Sequence, residues 1–376
     1  MTGAGDLAPA RLIVEAAELT RFTAASLRAA GASSADAAVT ADVLVAADLA
    51  GVESHGVARL RRYVEGLKTG DINRDAVPEV VGDKGSVCVV DAHNGLGQPA
   101  LCTAVDLAVG KAREYGTSAV MVRRSNHMGI AGWFAERAAR AGMFAMVSTN
   151  AVPQVAPMGT SEPMFGTNPF CYAVPTAGGI LCFDGATSVV SRGKLEQLDR
   201  TGKPMQTGWA LGPDGRPSLD ITGTVTGLIN RKGHALLPLG GGEADHGGHK
   251  GSGLALFIEL LCGPLAGARW SRHTYRGGEA GLGHFVFCLS LDALGDPGAI
   301  AAAAASLARE VQGAPGVDPQ DPVRIPGERR HRFTRARLDH GIPVLESVLQ
   351  DLNDLAELVG IGPVATVEHD LPAPQH

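Results

Sequence analysis

The sequence predicts an α/β protein with a sheet in the middle of the chain and helical segments at both ends. Between residues 86 and 149, short apolar runs alternate with helical patterns, which is typical of parallel βαβ units. A glycine-rich run at 240–253 leads into an apolar helix expected from Leu254. Residues 11–30 and 342–359 carry helical patterns, so the two chain ends are expected to be mainly α-helical.

The N-terminal region is predicted to contain two helices. The first, over 11–30, is expected to end at Gly31. Ser33 is a candidate N-cap for the second, with Asp36 in its first turn. The apolar face expected for this second helix comprises Val39, Val43 and Ala46.

A polar segment follows these helices and brings Ser54, His55 and Arg59 close together in the chain. If residues 57–67 are helical, Arg59 and Tyr63 share one face. An arginine placed in this way can clamp a carboxylate through two hydrogen bonds. The alternative is a solvated helix face with no binding role.

The middle of the chain predicts a sheet that is not a Rossmann fold. The expected elements are strands at 86–91, 118–122 and 143–149, with helices from Pro99 to Tyr115 and over 130–141. Gly95 and Gly97 do not complete a dinucleotide-binding fingerprint, because Ala100 stands where the third glycine is required. A nicotinamide cofactor would therefore need a different cradle.

Polar residues follow two of the predicted strands. His127 comes between a strand end and a helix N-terminus, where ligands gather in open α/β sheets and where an anion is favoured. A strand at 180–183 is followed by Asp184, whose carboxylate suits either orienting a histidine or contacting a cofactor; plain helix capping is the alternative. The turn at 166–169 carries Thr167, whose side chain is a candidate ligand contact.

The glycine-rich run carries Lys250 ahead of the helix, which suits a phosphate group. The spacing is not that of a P-loop. His246 and His249 suggest a metal site, but no outlying ligand supports one, so no metal is expected.

After the glycine-rich run we expect a strand at 284–291, a helix at 301–312, an extended loop at 321–328 and a basic patch to Arg337. The last helix is expected to carry an apolar stripe formed by Val344, Val348, Leu352 and Leu355.

Composition excludes several classes of protein. The net charge of −6 argues against a nucleic-acid-binding surface. No apolar run is long enough to span a bilayer, and the N-terminus does not resemble an export signal. The six cysteines are scattered without a Cys-x-x-Cys pair, which indicates thiols in a reducing cytoplasm.

Six separated motifs, taken together, resemble the type-2 malate/L-lactate dehydrogenase family over nearly the whole chain. They are Ser54-His55-Gly56-Val57 with Arg59, Ser125-Asn126-His127-Met128-Gly129, Gly166-Thr167-Asn168-Pro169, Asp184-Gly185-Ala186-Thr187-Ser188, Gly248-His249-Lys250-Gly251 and Arg324-Ile325-Pro326-Gly327-Glu328. Relatives in the family include ureidoglycolate and sulfolactate dehydrogenases and the Δ1-piperideine-2-carboxylate reductases.

The resemblance implies a non-Rossmann fold, with a mixed-sheet lobe for NAD or NADP and a helical lobe built from both chain ends. It divides the chain into an N-terminal helical part of the substrate lobe (10–85), the cofactor-binding lobe (86–300), a C-terminal helical part packing with the N-terminal lobe (301–360) and a loose tail (361–376). Residues before about Pro9 are also expected to be disordered. Homodimers or larger assemblies are implied.

The resemblance also implies roles for individual residues. His127 and His55 match histidines assigned as acid/base groups in different members, and Arg59 matches the clamp for the substrate carboxylate. The expected nucleotide contacts are Asn150, Ala151, Asp184, Gly185, Ala186, Thr187, Lys250, Pro326, Gly327 and Glu328. Ser54 and Thr167 are expected to assist substrate binding. Gly185 replaces a common methionine and Ser252 a common tyrosine, which predicts added space near the cofactor.

The leading interpretation is a cytoplasmic NAD(P)-dependent oxidoreductase that interconverts a small 2-hydroxy acid and its 2-oxo acid. Arg59 would hold the carboxylate, His127 would exchange the proton and Asp184 would help to fix the geometry. The first alternative is reduction of a cyclic 2-imino acid. Two further alternatives are a non-catalytic nucleotide-binding protein and a metal-dependent hydrolase built on His246 and His249.

Overall fold

The computed structural model describes residues 11–318 and 320–367. The helices are α1 Ala16–Ala29, α2 Ser34–Leu49, α3 Leu60–Thr69, α4 Gly97–Tyr115, α5 Ala131–Arg140, α6 Arg192–Arg200, α7 Ile221–Ile229, α8 Gly248–Cys262, α9 Pro297–Gln312, α10 Glu328–His340 and α11 Glu346–Val359. The strands are β1 Arg11–Val14, β2 Glu79–Lys84, β3 Val87–Asp91, β4 Thr117–Ser125, β5 Met143–Thr149, β6 Phe170–Thr176, β7 Gly179–Gly185, β8 Ala210–Leu211, β9 Ala235–Leu236, β10 Leu282–Ser290 and β11 Ile342–Leu345.

The chain divides into two compact units. One contains both chain ends, up to Gly70 and from Arg329, and the other runs from Asp71 to Glu328. This division does not coincide with the lobe boundaries expected at residues 85 and 300. The assignment of a substrate lobe and a cofactor lobe stays a prediction. The expected disorder before Pro9 lies outside the described residues, as does most of the expected C-terminal tail.

In the first unit, the two chain ends pair as a short antiparallel ribbon. β1 pairs with β11 from Arg11 opposite Leu345 to Val14 opposite Ile342. The helices predicted over 11–30 and 342–359 were therefore wrong in their first turns, and Val344 lies on a strand. β-Branched residues favour this extended backbone, but the partner strand lies at the far end of the chain and leaves no local signal.

The α2 helix begins as predicted, because the Ser33 hydroxyl accepts the Asp36 N–H at 3.1 Å. Its buried face differs from the prediction. Val43 is buried, whereas Val39 and Ala46 are only half-buried. The face that is fully buried follows Ala37, Ala41 and Leu44.

The described part of the second unit contains a mixed seven-stranded sheet in the order β2-β3-β4-β10-β5-β6-β7. β3 and β4 are parallel neighbours, as predicted for a βαβ unit. β4 and β5 also run parallel, but they are not neighbours, since β10 lies between them and is antiparallel to both. β10 comes from a distant part of the chain, and nothing in residues 118–149 indicates where it inserts.

Several elements of the second unit begin or extend differently from the prediction. β2 and β6 were not predicted, and β7 continues through Asp184 and Gly185. After β7, the elements α6, α7, β8 and β9 pack around a core formed by Leu195, Ala210, Val225 and Leu236. α8 starts at Gly248 rather than at Leu254, so Lys250 lies in its first turn.

No helix in the described ranges is both long and apolar enough to cross a membrane.

Candidate active site

One edge of the second unit's sheet collects several of the predicted site residues. β3 is parallel to β4, and β10 runs antiparallel to both β4 and β5. β6 is antiparallel to both β5 and β7. The carboxyl ends of β3, β4, β5 and β7 therefore lie at the same edge, which carries His127, Asn150 and Asp184. This is the edge at which open α/β sheets bind ligands.

The loop that carries His127 is held from both sides. The Gly129 N–H donates to His127 Nδ1 at 3.3 Å. The Asn126 side chain donates to the Asn94 carbonyl oxygen at 2.9 Å. Gly97 lies directly against this loop, because a Cβ there would be 2.3 Å from the Asn126 oxygen.

Asp184 caps a helix that belongs to a different part of the chain. Its Oδ2 accepts the Gly132 N–H at 2.7 Å, in the first turn of α5, whose own N-cap residue, Ile130, makes no side-chain cap hydrogen bond. A carboxylate is favoured at this position by the positive helix N-terminus. Because α5 directly follows the His127 loop, Asp184 fixes the backbone beside the histidine.

The Asn150 side chain hydrogen-bonds to the backbone of two other segments of the chain. Its amide donates to the Arg269 carbonyl oxygen at 2.6 Å, and its oxygen accepts the Gly283 N–H at 3.0 Å. Ala151 N–H donates to the Ser271 hydroxyl at 3.4 Å. Asn150 is buried, so we expect a nucleotide to meet the backbone of this segment rather than the Asn150 side chain.

A buried carboxylate on α8, Glu259, binds two loops and was not predicted. It accepts the Asn168 side-chain N–H at 2.8 Å, the Ser271 N–H at 3.0 Å and the Gly166 N–H at 3.4 Å. The sequence signal that could have revealed it is a lone acid within the apolar stretch of α8. Glu259 thus supports the turn that carries Thr167 and, through Ser271, the segment at Ala151.

Thr167 and Thr187 are in direct contact. Thr187 donates to the Thr167 carbonyl oxygen from its backbone N–H at 2.9 Å and from its hydroxyl at 3.2 Å. Ala186 is half-buried beside them. The space expected at Gly185 is largely occupied, because a Cβ there would lie 2.8 Å from the Phe183 ring.

The glycine-rich run packs tightly on the start of α8. A Cβ at Gly248 would lie 2.2 Å from the Gly241 carbonyl oxygen, and one at Gly251 would lie 1.9 Å from the Leu239 oxygen. These glycines therefore permit close packing, while Lys250 remains exposed. The hydroxyl of Ser252 accepts the Met158 N–H at 2.8 Å and so holds a neighbouring loop.

His246 and Glu243 approach each other to 3.8 Å, but both side chains are largely exposed. Over residues 11–318 and 320–367, no group of three His, Cys, Asp or Glu side chains is placed to hold a metal ion.

The loop at 326–328 lies along β7. Gly327 has φ +92°, and a Cβ on it would be 3.0 Å from the Cys182 carbonyl oxygen. Its neighbour Glu328 accepts the Ile325 N–H at 3.3 Å. Pro326, Gly327 and Glu328 are thereby placed beside the strand that carries Asp184.

In the first unit, Ser54, His55 and Arg59 occupy two short 3₁₀ turns, Glu53–His55 and Val57–Arg59. The Ser54 hydroxyl and His55 Nδ1 are 3.0 Å apart. Arg59 Nε donates to the Ser54 carbonyl oxygen at 2.7 Å. The α-helix starts only at Leu60, because the 3₁₀ turns replace the first turn of the predicted helix over 57–67.

Asp48 holds this segment from beneath. Its Oδ2 accepts the Val57 N–H at 2.8 Å, and Gly56 packs so closely that a Cβ would lie 2.0 Å from Asp48 Oδ1. Burial raises the pKa of Asp48 to about 8. Arg337 of α10 donates to the Asp48 carbonyl oxygen.

Glu53 is the second anchor of the segment. Arg337 Nη2 donates to its Oε1 at 2.7 Å, and Arg11 Nη1 donates to the same oxygen at 3.0 Å. Burial opposes ionisation, but the two arginines outweigh it and hold the pKa of Glu53 below its usual value. The basic helix α10 therefore serves in part to fix the turns that carry Ser54 and His55.

Comparisons with known proteins agree with the fold. The family model described as malate/L-lactate dehydrogenase matches residues 14–353. A malate dehydrogenase of Pyrococcus abyssi is 38% identical over 346 residues, covering 92% of this chain and 94% of the relative. A Delta(1)-pyrroline-2-carboxylate/Delta(1)-piperideine-2-carboxylate reductase of Pseudomonas syringae pv. tomato is 33% identical over 335 residues, covering 87% and 91%.

Among solved structures, malate dehydrogenase from Entamoeba histolytica superposes with a TM-score of 0.90 at 28% identity, covering 94% of this chain and 99% of that one. The structure is thus that of a dehydrogenase or reductase, an enzyme that works with a nicotinamide cofactor. The chain belongs to the malate/L-lactate dehydrogenase family.

Proposed function

We propose that this protein interconverts a small 2-hydroxy acid and its 2-oxo acid, using NAD or NADP. The observation that carries the proposal is the placement of His127 at the carboxyl edge of the sheet, between the end of β4 and the start of α5. Membership of the family supplies the reaction class. The bound cofactor supplies or accepts the hydride, so the protein has to bind, orient and move a proton.

The residues at the sheet edge fit a nicotinamide nucleotide. Lys250 is exposed in the first turn of α8, where a helix N-terminus and a cation favour a phosphate or a ribose hydroxyl. The backbone at Asn150 and Ala151, the β7 end from Asp184 to Thr187 and the loop at 326–328 would complete the cradle.

In the direction of reduction, the charged His127 ring would donate a proton to the carbonyl oxygen of the substrate and would itself become neutral. In the direction of oxidation, the neutral ring would take that proton back. Arg59 would hold the substrate carboxylate, and Ser54 and Thr167 would assist in binding it.

His55 is the alternative proton carrier. The Ser54 hydroxyl beside its Nδ1 can donate to the neutral ring or accept from the charged ring. The hydrogen bond would therefore survive a change of protonation. Separate substitution of the two histidines distinguishes the alternatives.

The second candidate function is reduction of a cyclic 2-imino acid to an amino acid, since one of the relatives carries that name. A substrate panel separates the two functions: pyruvate, oxaloacetate and sulfopyruvate against Δ1-pyrroline-2-carboxylate, each with NADH and with NADPH. We expect the highest kcat/KM with a 2-oxo acid. The rate is measured from the change in nicotinamide absorbance. Turnover of the imino acid alone contradicts the proposal, and nucleotide binding without any turnover favours a non-catalytic protein.

We also infer that the chain forms a homodimer or a larger homo-oligomer. α8 packs its Ile258 and Cys262 on the sheet, but its outer side exposes Leu256, Phe257 and Leu260 by 45–48%. An apolar face of this kind usually marks an interface. The cytoplasmic location expected from the scattered cysteines remains a prediction.

Light scattering at micromolar concentration should show a dimer or larger species. Leu260→Glu should shift it to monomer by placing a charge in the interface, whereas Leu307→Glu on α9, exposed by 64%, should not. A monomeric wild-type protein contradicts this inference.

A further inference from the structure

A fully buried histidine, His284, joins the ends of two strands beneath the candidate active site. It lies on β10, between β4 and β5, and its side chain is 0% exposed. Its Nδ1 lies 2.8 Å from the Thr149 hydroxyl and its Nε2 lies 2.9 Å from the Ser125 hydroxyl. Ser125 is the last residue of β4 and Thr149 the last residue of β5.

The pairing of β10 with β4 is irregular at this point. Leu282 pairs with Ser125, but His284 pairs with Val122, so the register shifts between the two pairs. Such bulges redirect side chains and are common beside active sites. On its other side, His284 is in regular register with Thr149.

The hydrogen bonds assign the ring proton to one nitrogen. The Thr149 hydroxyl donates to the Asn150 carbonyl oxygen at 2.8 Å, so its oxygen is left to accept from His284 Nδ1–H. The Ser125 hydroxyl lies 2.9 Å from Nε2 but 3.5 Å from the Asn126 carbonyl oxygen, so it donates to Nε2, which is unprotonated. Burial lowers the pKa of His284 to about 4, so the ring stays neutral in this form near neutral pH.

Each hydroxyl partner immediately precedes a segment of the candidate site. Ser125 leads into Asn126 and His127, and Thr149 leads into Asn150 and Ala151. An outward shift of either strand end would break a buried hydrogen bond to the same ring, because each ring nitrogen contacts one of the two hydroxyls. Apolar packing alone does not require an imidazole here, since the remaining buried positions of β10 include Phe285, Val286 and Cys288.

We propose that His284 is a positioning residue that couples the His127 loop to the nucleotide-binding segment at Asn150. The proposal deepens the proposed function and rests on it for the roles of His127 and Asn150. Each ring nitrogen holds one strand end, so losing one bond should disturb one of the two segments more than the other. A residue needed only for folding would disturb both alike.

Two substitutions at this one position separate the two bonds. An asparagine amide occupies the place of Nδ1, so His284→Asn keeps the Thr149 contact and loses the Ser125 contact. A glutamine amide reaches the place of Nε2, so His284→Gln does the reverse. We expect His284→Asn to lower kcat about tenfold with nearly unchanged nucleotide Kd, and His284→Gln to weaken nucleotide binding about tenfold with a smaller loss of kcat.

The matched control is Val286→Ala, on the same face of the same strand and fully buried. It should lower the thermal midpoint without changing kcat or the nucleotide Kd. If both His284 variants change the two readouts in equal proportion, or if both behave like Val286→Ala, the coupling role is overturned.

A spectroscopic measurement tests the proposal independently of turnover and of the folding of the variants. In wild-type protein with ¹⁵N-labelled histidine, His284 should show a protonated Nδ1 and an unprotonated Nε2 throughout about pH 5 to 8. A proton on Nε2, or titration within this range, contradicts the arrangement. If the wild-type enzyme turns over no acid in the panel, the proposed function fails. The difference in nucleotide Kd between the two His284 variants and the ¹⁵N spectrum still decide the role of His284.

Discussion

Glu259→Gln should destabilise the protein strongly although it changes a single atom. Oε1 faces two N–H donors, from Asn168 and Gly166, and Oε2 faces a third, from Ser271. A glutamine amide has one acceptor oxygen, so in either orientation its NH₂ group meets at least one buried donor. Losing a hydrogen bond to a charged group costs about 1.5–3 kcal/mol and an unpaired buried donor about 1–3 kcal/mol. Together the two costs predict a loss of roughly 2.5–6 kcal/mol.

The assay is the midpoint of unfolding in urea, at fixed protein concentration and without nucleotide. The matched control is Glu162→Gln, because Glu162 pairs with Arg272, next to Ser271, at 2.7 Å, but both side chains are about half exposed. An exposed pair contributes about 0–1 kcal/mol. If both variants shift the midpoint equally, Glu259 does not have the organising role assigned to it.

Three further predictions concern pH and nucleotide binding. Because burial lowers the pKa of His284 to about 4, the unfolded state binds a proton more readily than the folded state. The free energy of unfolding should therefore fall by roughly 3 kcal/mol as pH drops from about 6.5 to 4. An equally steep fall in His284→Asn contradicts this. Burial raises the pKa of Asp48 to about 8, so the protonated side chain stabilises the folded state, and this contribution to stability is lost as pH rises from about 4 to 8. Asp48→Asn should flatten that slope in urea unfolding, and an unchanged slope contradicts the assignment. Lys250→Ala should weaken nucleotide binding about ten- to a hundredfold, with little change in kcat, because a charge-assisted hydrogen bond is lost; an unchanged Kd by titration refutes it.

The positions of the predicted site residues in the second unit follow from local patterns. A strand that ends in a polar turn before a helix can be recognised from a few residues, as with His127 and Asp184. The sequence also excludes a Rossmann cradle, because Ala100 stands where a glycine is needed. The family resemblance contributes the mixed-sheet fold, which the structure confirms.

Non-local pairing could not be predicted in the same way. The insertion of β10 between β4 and β5, and the ribbon between β1 and β11, depend on partners far away in the chain. Glu259 and His284 act through loops that come together only in the folded sheet. The best local sign of either residue is a polar side chain in an otherwise apolar element, and this sign does not identify its partners.

The most direct test of the central claim is the turnover of His127→Asn, measured with the best substrate of the panel and compared with His55→Asn. Removal of a general acid typically costs at least ~10²-fold, so His127→Asn should lower kcat by that factor while nucleotide binding stays near normal. His55→Asn should act mainly by raising KM. If His127→Asn keeps near-wild-type turnover and His55→Asn abolishes it, the proton carrier is His55 and the assignment to His127 is wrong.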